Sequence, residues 1–573
     1  MKHLYTTLLL LLTASMISSS QVPTLQWVRQ IGSGGYDYAT SMTVDPAGNV
    51  YTTGYFNGTV DFDPGIGVYN LSKPGNYSCF LSKTDASGNF VWAKEMANKS
   101  ATSTPSLTID KAGNIYVTGG FVGKSDFDPG PDSTILTTNG MADIFVAKYT
   151  TDGELIWARN MGGTAEDYAT SIAVDDSGNV ALTGKFWGTA DFDPGLGVYN
   201  LNTQYFDMFI AKLDSSGTFV WAKQLLVYQT GSDDEPNGIA VDAAGNVYST
   251  GTFTVSADFD PGPGVHTEKA NTNDIYISKL DADGNFRWAR KIGGPIQDVG
   301  NSIKVDNAGN VFTVGSFNLS ADFDPDSTEQ LLYSSGNEDI FVLKLDSNGK
   351  YQWAKKMGGA QSDAGYSLTI DSKGNVYTAG LFNGIADFDP GPGVQAMTAS
   401  GNSEYISTTG ASDIFISKLD PNGNYLWARQ LGNSRSVSIG IDATDAVYVA
   451  GTISGVGDFD PGVSQRYLSS EGEADIFILK LREVSVGVSE EGNTQELLST
   501  YPSPSTGATT IQFGKTVNNG TLRVLNLLGQ TILERTVLSG ESYTIDLNNQ
   551  ASGMYMVELK SEGEVWLKNL IKE

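Results

Sequence analysis

The chain is built from short segments in which hydrophobic and polar residues alternate. Residues 302–306 and 311–315 each alternate with a period of two, and Gly309 and Asn310 lie in the turn between them. A period of two is the spacing of a β-strand with one buried face, and Gly and Asn favour the tight turn of a hairpin. This part of the sequence therefore predicts an antiparallel β-hairpin.

A second hairpin of the same kind follows after a loop. Residues 339–346 and 351–355 form its two strands, and residues 347–349 form its turn. The two hairpins give a unit of four strands, named a, b, c and d, and no segment has a convincing helical period. The loop between strands b and c contains Asp-Phe-Asp-Pro.

The four-strand unit is repeated seven times. Asp-Phe-Asp-Pro recurs at intervals of 64 to 71 residues, beginning at Asp61, Asp126, Asp191, Asp258, Asp322, Asp387 and Asp458. A fixed period of this size marks one supersecondary unit that is copied along the chain. Repeated units of four antiparallel strands are typical of a β-propeller, so the sequence predicts an all-β, seven-bladed propeller over residues 21–484.

The two ends of the repeat array predict that the ring of blades is closed. The first strand d, which contains Trp27, has no strand c before it, and the last strand c, residues 475–481, has no strand d after it. The N-terminal strand is therefore expected to complete the seventh blade, which removes exposed sheet edges. An open solenoid of stacked repeats is the alternative.

The repeat has a recognisable signature. Residues 238–248 run from Gly-Ile-Ala-Val-Asp to Gly-Asn-Val-Tyr, and Trp-Ala-Lys or Trp-Ala-Arg closes the units. This pattern resembles the seven-bladed β-propeller repeat of bacterial and archaeal surface proteins, and its first hairpin is similar to the NHL repeat, although these units are longer. The resemblance implies the propeller fold but little about activity, because one fold serves many functions.

The region after the repeats has a different pattern. Residues 485–498 are polar and acidic and predict a linker, and the short alternating runs of residues 499–573 predict a small β-sandwich. This end closely resembles the C-terminal sorting domain of type IX secretion cargo in Bacteroidota: it has Tyr-Pro-Ser-Pro from Tyr501, Asn-Leu-Leu-Gly-Gln from Asn526, Gly-Met-Tyr from Gly553 and a Lys-rich tail. Ser503 stands where Asn is usual. The resemblance implies that residues 499–573 engage the type IX machinery and are often removed later, with the protein attached to the surface or released. A stalk or adhesion module is the alternative.

The N-terminus predicts export from the cytoplasm. Lys2 and His3 precede an apolar run at residues 8–12 and small residues up to Ser20, which is the pattern of a signal peptide over residues 1–20. The apolar run is too short to anchor the chain in a bilayer, and no other segment is long and apolar enough for a transmembrane helix. We expect a soluble monomer, secreted or held at the outer-membrane surface after signal-peptide cleavage.

Composition excludes several classes of function. The formal net charge of −29 argues against a nucleic-acid partner, because phosphate binding needs clustered Lys and Arg. The single cysteine, Cys79, cannot form an intramolecular disulfide and is expected at a buried strand position. The histidines are His3, in the signal peptide, and His266, in a loop where no acidic residue or nucleophile is identifiable as its partner. Catalytic triads and zinc or copper centres are therefore not expected.

The paired carboxylates of Asp-Phe-Asp-Pro are the candidate metal or catalytic groups. Side chains at i and i+2 of an extended chain point to the same side, and hard oxygens suit Ca²⁺, although a full site needs about six to eight oxygens. The candidate Ca²⁺ ligands are Asp61, Asp63, Asp126, Asp128, Asp191, Asp193, Asp258, Asp260, Asp322, Asp324, Asp387, Asp389, Asp458 and Asp460.

A structural role for Asp-Phe-Asp-Pro is the alternative. In that case Phe packs between blades, Asp-Pro-Gly forms a turn, and one Asp pairs with the Lys or Arg that follows each strand-d Trp. Paired carboxylates could also hydrolyse glycosidic bonds. Since a feature present in every blade more often serves the architecture, no catalytic residue and no cofactor is assigned.

Function is expected where the repeats differ. The a–b and c–d hairpins are short and uniform, whereas the b–c and d–a connections vary and include longer segments at residues 398–405 and 225–234. Tyr228, Tyr405 and Trp187 are candidate contacts there. The leading hypothesis is a secreted or surface-attached, non-enzymatic scaffold that binds a glycan or a protein. The alternatives are an extracellular polysaccharide-acting enzyme that uses carboxylates and a Ca²⁺-dependent adhesin.

Overall fold

The structure of the protein, a computed structural model, is built from β-strands. It describes residues 22–96, 104–227, 234–326, 329–400, 412–462, 464–484, 498–501, 508–526, 531–548, 550–551, 553–561 and 564–572. No helix occurs in these residues, which confirms the all-β prediction. The predicted signal peptide, residues 1–20, and all but the last residue of the predicted linker lie outside them.

The chain divides into two compact units, Met1–Val486 and Gly487–Glu573. The strands of the first unit are β1 (Val22–Ile31), β2 (Tyr38–Val44), β3 (Val50–Asp61), β4 (Asn70–Thr84), β5 (Phe90–Met96), β6 (Ser106–Ile109), β7 (Ile115–Phe121), β8 (Lys124–Asp126), β9 (Ile135–Thr137), β10 (Asp143–Tyr149), β11 (Leu155–Gly163), β12 (Tyr168–Val174), β13 (Val180–Phe186), β14 (Thr189–Asp191), β15 (Asn200–Asn202), β16 (Asp207–Leu213), β17 (Phe219–Val227), β18 (Glu235–Val241), β19 (Val247–Asp258), β20 (Thr267–Leu280), β21 (Phe286–Ile292), β22 (Val299–Val305), β23 (Val311–Phe317), β24 (Ser320–Asp322), β25 (Leu331–Tyr333), β26 (Asp339–Leu345), β27 (Tyr351–Gly359), β28 (Ala364–Ile370), β29 (Val376–Phe382), β30 (Ile385–Asp387), β31 (Ala396–Thr398), β32 (Ser412–Leu419), β33 (Tyr425–Ser434), β34 (Val437–Ile441), β35 (Val447–Ile453), β36 (Val456–Asp458), β37 (Tyr467–Ser469) and β38 (Asp475–Val484).

Antiparallel pairing groups most of these strands into sets of four, in the predicted order a, b, c and d. The sets are set 1 (β2, β3, β4, β5), set 2 (β6, β7, β10, β11), set 3 (β12, β13, β16, β17), set 4 (β18, β19, β20, β21), set 5 (β22, β23, β26, β27), set 6 (β28, β29, β32, β33) and set 7 (β34, β35, β38, β1). In set 7 the fourth strand is the N-terminal strand β1, which pairs with β38 from Val22 opposite Val484 to Ile31 opposite Ile476. The first and last strands of the unit therefore lie side by side.

A repeated aspartate turn joins strands a and b. In set 1 the Asp45 carboxylate accepts the backbone N–H groups of Ala47 (3.0 Å) and Asn49 (2.8 Å), and Gly48 has a φ of 84°. Gly suits this left-handed conformation because it has no Cβ. In set 7, Asp445 takes the same position with a φ of 61°. Each hairpin is thus fixed by contacts within a few residues of its own turn.

The connection between strands b and c is more regular than the predicted loop. In set 2 it is a two-stranded ribbon of β8 and β9, and sets 3, 5, 6 and 7 have the same ribbon. The first ribbon strand still alternates, with Ser125 buried between the more exposed Lys124 and Asp126. Asp-Phe-Asp-Pro begins at the last residue of that strand, so the motif lies at the end of a ribbon.

The hydrophobic core lies between successive sets. Phe62 of the first Asp-Phe-Asp-Pro is fully buried, packs edge-on against Phe56 with ring centroids 5.6 Å apart, and belongs to a cluster that includes Tyr448 and Ile478 of set 7. Burying a side chain of this size contributes about 1.5–3 kcal/mol. The equivalent residues Phe127, Phe192, Phe259, Phe323, Phe388 and Phe459 are also fully buried. The expected role of this Phe in the packing between repeats is confirmed.

The second unit is an antiparallel sheet of five strands. They are β39 (Leu498–Tyr501), β40 (Ala508–Leu525), β41 (Thr531–Asp546), β42 (Gly553–Ser561) and β43 (Glu564–Lys572). The first part of β40 pairs with β39 and the end of β41, whereas its last part pairs with the start of β41 and with β42. Ile511, Leu522, Val557 and Leu570 are among its buried core residues. The β-sandwich over residues 499–573 stays a prediction.

Candidate functional site

The carboxylates of Asp-Phe-Asp-Pro bind the backbone of their own loop. Asp61 Oδ1 accepts the N–H groups of Asp63 (3.0 Å) and Tyr69 (2.8 Å), and Asp63 Oδ1 accepts the N–H of Gly65 (2.8 Å). The first Asp makes the same two bonds in every other repeat, and the second Asp repeats its own bond as well. The motif therefore ties the tip of each b–c ribbon.

The basic residues after the strand-d tryptophans bind elsewhere. The Arg29 guanidinium donates to the backbone carbonyls of Gly88 (2.8 Å) and Ser87 (3.2 Å), which belong to the c–d turn of set 1. Arg159 and Arg290 make the same bonds to the next set. For these arginines the expected pairing with an Asp of Asp-Phe-Asp-Pro is wrong, because the neighbouring turn already supplies carbonyl acceptors within reach.

The Ca²⁺ candidates stay a hypothesis. Each pair of carboxylates already has at least one oxygen engaged by amides, and Ca²⁺ needs several further oxygen ligands. In the described part of the chain, no group of three or more His, Cys, Asp or Glu side chains is placed to hold a metal ion. Asp-Phe-Asp-Pro thus has a structural task in the loop that contains it.

The other sequence candidates are placed as follows. Tyr228 and Tyr405 lie outside the described residues. Cys79 is fully buried in β4, as predicted, and burial raises the pKa of its thiol to about 12. His266 does have an acidic partner, contrary to expectation: its Nε2 lies 3.1 Å from Glu268 Oε1. The His266 ring lies 4.9 Å from the Phe286 ring, and the His266 side chain is 36% exposed.

Trp187 belongs to a cluster of aromatic side chains at one end of set 3. Its side chain is 43% exposed, and its ring lies 5.7 Å from that of Phe206, which lies 6.2 Å from Tyr168. Trp187 follows the end of strand b, Tyr168 begins strand a, and Phe206 precedes strand c. These ends meet at one edge because neighbouring strands are antiparallel. We name Tyr168, Trp187 and Phe206 the Trp187 cluster.

A charged pair lies against the Trp187 cluster. Lys185 is buried, with Nζ 5.8 Å from the centre of the Tyr168 ring and 5.7 Å from that of Phe206, and it forms an ion pair with Glu235. Burial alone would lower the pKa of Lys185, but the hydrogen bond and the charge of Glu235 raise it. Lys185 is therefore held as a cation between two rings. The Glu235 side chain remains 45% exposed, so a carboxylate borders the aromatic surface.

A buried carboxyl supports the backbone behind Trp187. Asp167 Oδ1 accepts the N–H of Trp187 (3.0 Å), and Asp167 Oδ2 accepts that of Gly163 (2.7 Å). Burial, together with the nearby Asp143 carboxyl, raises the pKa of Asp167 to about 6. Equivalent buried aspartates are Asp37, Asp298 and Asp363, with pKa values raised to about 6, about 7 and about 8. Like Asp167, each of these carboxyls accepts the backbone N–H at the position equivalent to Trp187.

The Trp187 cluster is a point where the repeats differ. The position of Trp187 holds Asn57, Val122, Thr254, Asn318, Asn383 and Ser454 in the other repeats. Set 1 has tyrosines at the positions equivalent to Tyr168 and Phe206, but it has Asn57 at the position equivalent to Trp187. The sequence analysis used loop length as its signal for a binding site, which favours the longer connections at residues 225–234 and 398–405. It therefore did not identify Tyr168 and Phe206. Comparing residue types at the strand ends of each repeat would have found them.

Two parts of the chain match known protein families. Residues 26–60, 220–252 and 352–389 match the β-propeller repeat, and residues 499–573 match the secretion system C-terminal sorting domain. The sorting domain implies export by type IX secretion to the cell surface or the extracellular space, and it is consistent with an origin in Bacteroidota. Repeats of this kind imply a scaffold for binding.

Similar proteins cover the chain unevenly. An uncharacterized WD repeat-containing protein of Acanthamoeba polyphaga mimivirus is 23% identical over 511 residues, which covers 74% of this chain and 36% of that protein. The regulatory protein FlaEY of Caulobacter vibrioides is 28% identical over 140 residues, covering 23% of this chain and 15% of that protein. The chain therefore spans well under half of the length of both relatives.

A crystal structure of a protein of unknown function from Bacteroides caccae also overlaps with the chain. It is 11% identical, covers 59% of this chain and 94% of its own, and has a TM-score of 0.24. Within the described residues, no helix has the length and apolar character of a membrane span. From the family matches, the chain combines β-propeller repeats with a secretion system C-terminal sorting domain.

Proposed function

We propose that sets 1 to 7 are the blades of one closed seven-bladed propeller, and that residues 499–573, which follow it in the sequence, form a β-sandwich sorting domain. The contacts between the first strands of the sets support the ring, because β2, β6, β12, β18, β22, β28 and β34 touch in this order and β34 touches β2. The pairing of β1 with β38 supports closure by the N-terminal strand. Export would begin with Sec recognition of residues 1–20.

We infer that the protein is a non-catalytic scaffold that binds a glycan outside the cell, with the Trp187 cluster as its contact surface. The observation that carries this inference is the partly exposed Trp187 ring beside Phe206 and Tyr168, with the Glu235 carboxylate at its edge. Sugar rings pack their C–H faces on aromatic rings, while their hydroxyl groups need acceptors such as a carboxylate. The cluster offers both kinds of contact side by side.

The repeated carboxylates support binding over hydrolysis. Glycosidases place an acid and a base, or an acid and a nucleophile, on the two sides of one bond. In Asp-Phe-Asp-Pro both aspartates instead accept backbone N–H groups of their own ribbon. Glu235, a partly exposed carboxylate at the edge of the Trp187 cluster, is paired with Lys185.

The proposal is tested with the mature protein on a glycan array, followed by titration of the best ligand into wild type and Trp187→Ala. Removing an aromatic contact at the centre of a binding surface costs about 2 kcal/mol or more, so we expect at least about tenfold weaker binding. Tyr333→Ala is the matched control, because Tyr333 is 62% exposed and lies outside the Trp187 cluster. This variant should bind like wild type.

Two outcomes would contradict the proposal. Equal affinities of Trp187→Ala and Tyr333→Ala would place the binding surface elsewhere. Release of products from a polysaccharide by wild type would show an enzyme, and the carboxylates would then need to be tested one at a time.

A further inference from the structure

The first strands of the seven sets surround a cavity that is separate from the Trp187 cluster. Its volume is about 210 Å³, and residues of β2, β6, β12, β18, β22, β28 and β34 line it. A space of this size accommodates several water molecules or a small polar molecule. The cavity therefore has room for a ligand where all of the repeats meet.

A ring of hydroxyl groups faces this cavity. Six of the seven repeats place a serine at the same lining position, and the seventh has Gly238; the serines are Ser41, Ser106, Ser171, Ser302, Ser367 and Ser438. Ser41 Oγ accepts the N–H of Leu107 (3.3 Å), and Ser367 Oγ accepts that of Ile439 (3.2 Å). A hydroxyl that accepts one hydrogen bond still has its own hydrogen to donate. The ring therefore supplies several donors around one space.

Lys304 is the single charged residue among the described residues that line the cavity. Lys304 is an exposed residue of β22 that lines the cavity, and the protein around it lowers the pKa of its ammonium group by desolvation. The other repeats have Thr43, Thr108, Ala173, Ala240, Thr369 and Gly440 at this position. A protein with a net charge of −29 thus places one lysine, and no described carboxylate, in the lining of its central cavity.

Tyr366 adds a second residue that the other repeats lack. Thr40, Asn237 and Asn301 at the equivalent position donate to carbonyl groups of the next set, at 2.7, 3.0 and 2.8 Å. The Tyr366 side chain is instead 36% exposed toward the cavity that it lines. Partial burial and the nearby Glu338 carboxylate raise its pKa to about 12, so its hydroxyl keeps its proton and can donate a hydrogen bond.

We propose that this central cavity binds a small oxyanion of the sulfate or carboxylate type. Lys304 Nζ supplies the charge, and hydroxyl groups of the serine ring and Tyr366 supply hydrogen bonds. The Lys304 ammonium favours an anion in the cavity, because an opposite charge nearby stabilises its protonated form. Hydrogen bonds that involve an ionised group are stronger than those between neutral groups. The negative charge of the whole protein slows entry of an anion. Glu338 lies near Tyr366, but the described residues that line the cavity include no carboxylate.

The test is isothermal titration of the mature protein with sodium sulfate and with sodium acetate, each against sodium chloride at equal ionic strength. We expect saturable binding at one site for at least one of the two anions. Lys304→Met should weaken it at least about tenfold, whereas Lys304→Arg should retain it. Lys111→Met is the matched control, because it removes the same charge from an exposed ion pair with Asp176 (2.6 Å) and should bind like wild type.

Absence of saturable heat in wild type with both anions, or unchanged binding by Lys304→Met, would overturn the proposal. A second measurement covers a Lys304→Met variant that fails to fold. Wild-type crystals soaked in selenate should show an anomalous peak beside Lys304 Nζ. Peaks confined to other places would overturn the proposal as well.

Discussion

Glu483 is expected to be the most important single side chain for joining sets 6 and 7. Between other sets, the strand-d Trp and a strand-c Lys donate to one carbonyl of the next c–d turn: Trp157 Nε1 and Lys148 Nζ both bind Ser215 O, at 3.2 and 3.3 Å. Set 7 has no such turn, because its strands c and d are the two ends of the unit. The Glu483 carboxylate replaces the missing carbonyl, accepting Trp427 Nε1 (2.8 Å) and Lys418 Nζ (2.7 Å).

The burial of these groups sets the size of the effect. The side chains of Lys418 and Glu483 are 5% and 11% exposed, and Lys418 Nζ is 2.9 Å from the second Glu483 oxygen. Removing one partner of a buried ion pair costs about 3–5 kcal/mol, since the other charge stays buried. Asp371 Oδ2, at 4.0 Å, would still compensate part of the Lys418 charge. Glu483→Ala should therefore lower the free energy of unfolding by about 2–4 kcal/mol.

The assay is urea unfolding followed by tryptophan fluorescence for wild type, Glu483→Ala, Glu483→Gln and Glu154→Ala. Glu154 forms an exposed pair with Lys94 at 3.3 Å, and its loss should cost less than about 1 kcal/mol. Glu483→Gln keeps one acceptor for Trp427 but loses the charge, so it should fall between the two alanine variants. If Glu483→Ala and Glu154→Ala unfold at the same urea concentration, the Glu483 carboxylate does not take the place of the missing turn carbonyl.

Three further outcomes are expected. Burial raises the pKa of Asp298 to about 7 and of Asp363 to about 8, above the ordinary 3.8, so the folded chain holds protons that the unfolded chain releases. Calorimetry should therefore show a melting temperature that falls as pH rises from about 5 to about 8.5, with a flatter dependence in Asp363→Asn. A melting temperature that rises over this range would contradict the linkage. Phe323→Ala should cost about 3–5 kcal/mol in urea unfolding, because the ring is fully buried between sets 4 and 5, and a loss below about 1 kcal/mol would show that the site collapses without it. Millimolar CaCl₂ should leave the melting temperature of the mature protein unchanged, because amides already engage the Asp-Phe-Asp-Pro carboxylates; saturable Ca²⁺ heat with a higher melting temperature would restore the metal hypothesis.

Interactions that are local in the chain could be predicted from the sequence. The Asp45 turn uses donors two and four residues away, and the Asp61 ribbon uses donors two and eight residues away. Such contacts depend on spacing alone, so the strands, their turns and the structural use of Asp-Phe-Asp-Pro follow from the repeat. The outer strand β1 could also be anticipated, since an unpaired strand c needs a partner at its edge.

The candidate binding residues could not be predicted in the same way. The sequence offers Trp187 as a candidate contact, but Tyr168 and Phe206 join it only because three strand ends meet in the fold. Lys304 reads in the sequence as a polar position of an ordinary strand, and its neighbours in the cavity come from repeats that are far away along the chain. Glu483 likewise acquires its role only because β1 and β38 are not joined by a turn.

The sequence by itself thus determined the repeated unit, because alternation of side chains and short-range hydrogen bonds are properties of neighbouring residues. Only the tertiary structure decided which residues of different repeats share a surface or a cavity. Period-two alternation tells which side chains point the same way within one strand, but not which of seven similar strands lie next to each other. The ring of first strands brings Lys304 and Tyr366 together with six serines, and the edge of set 3 brings Trp187 together with Phe206.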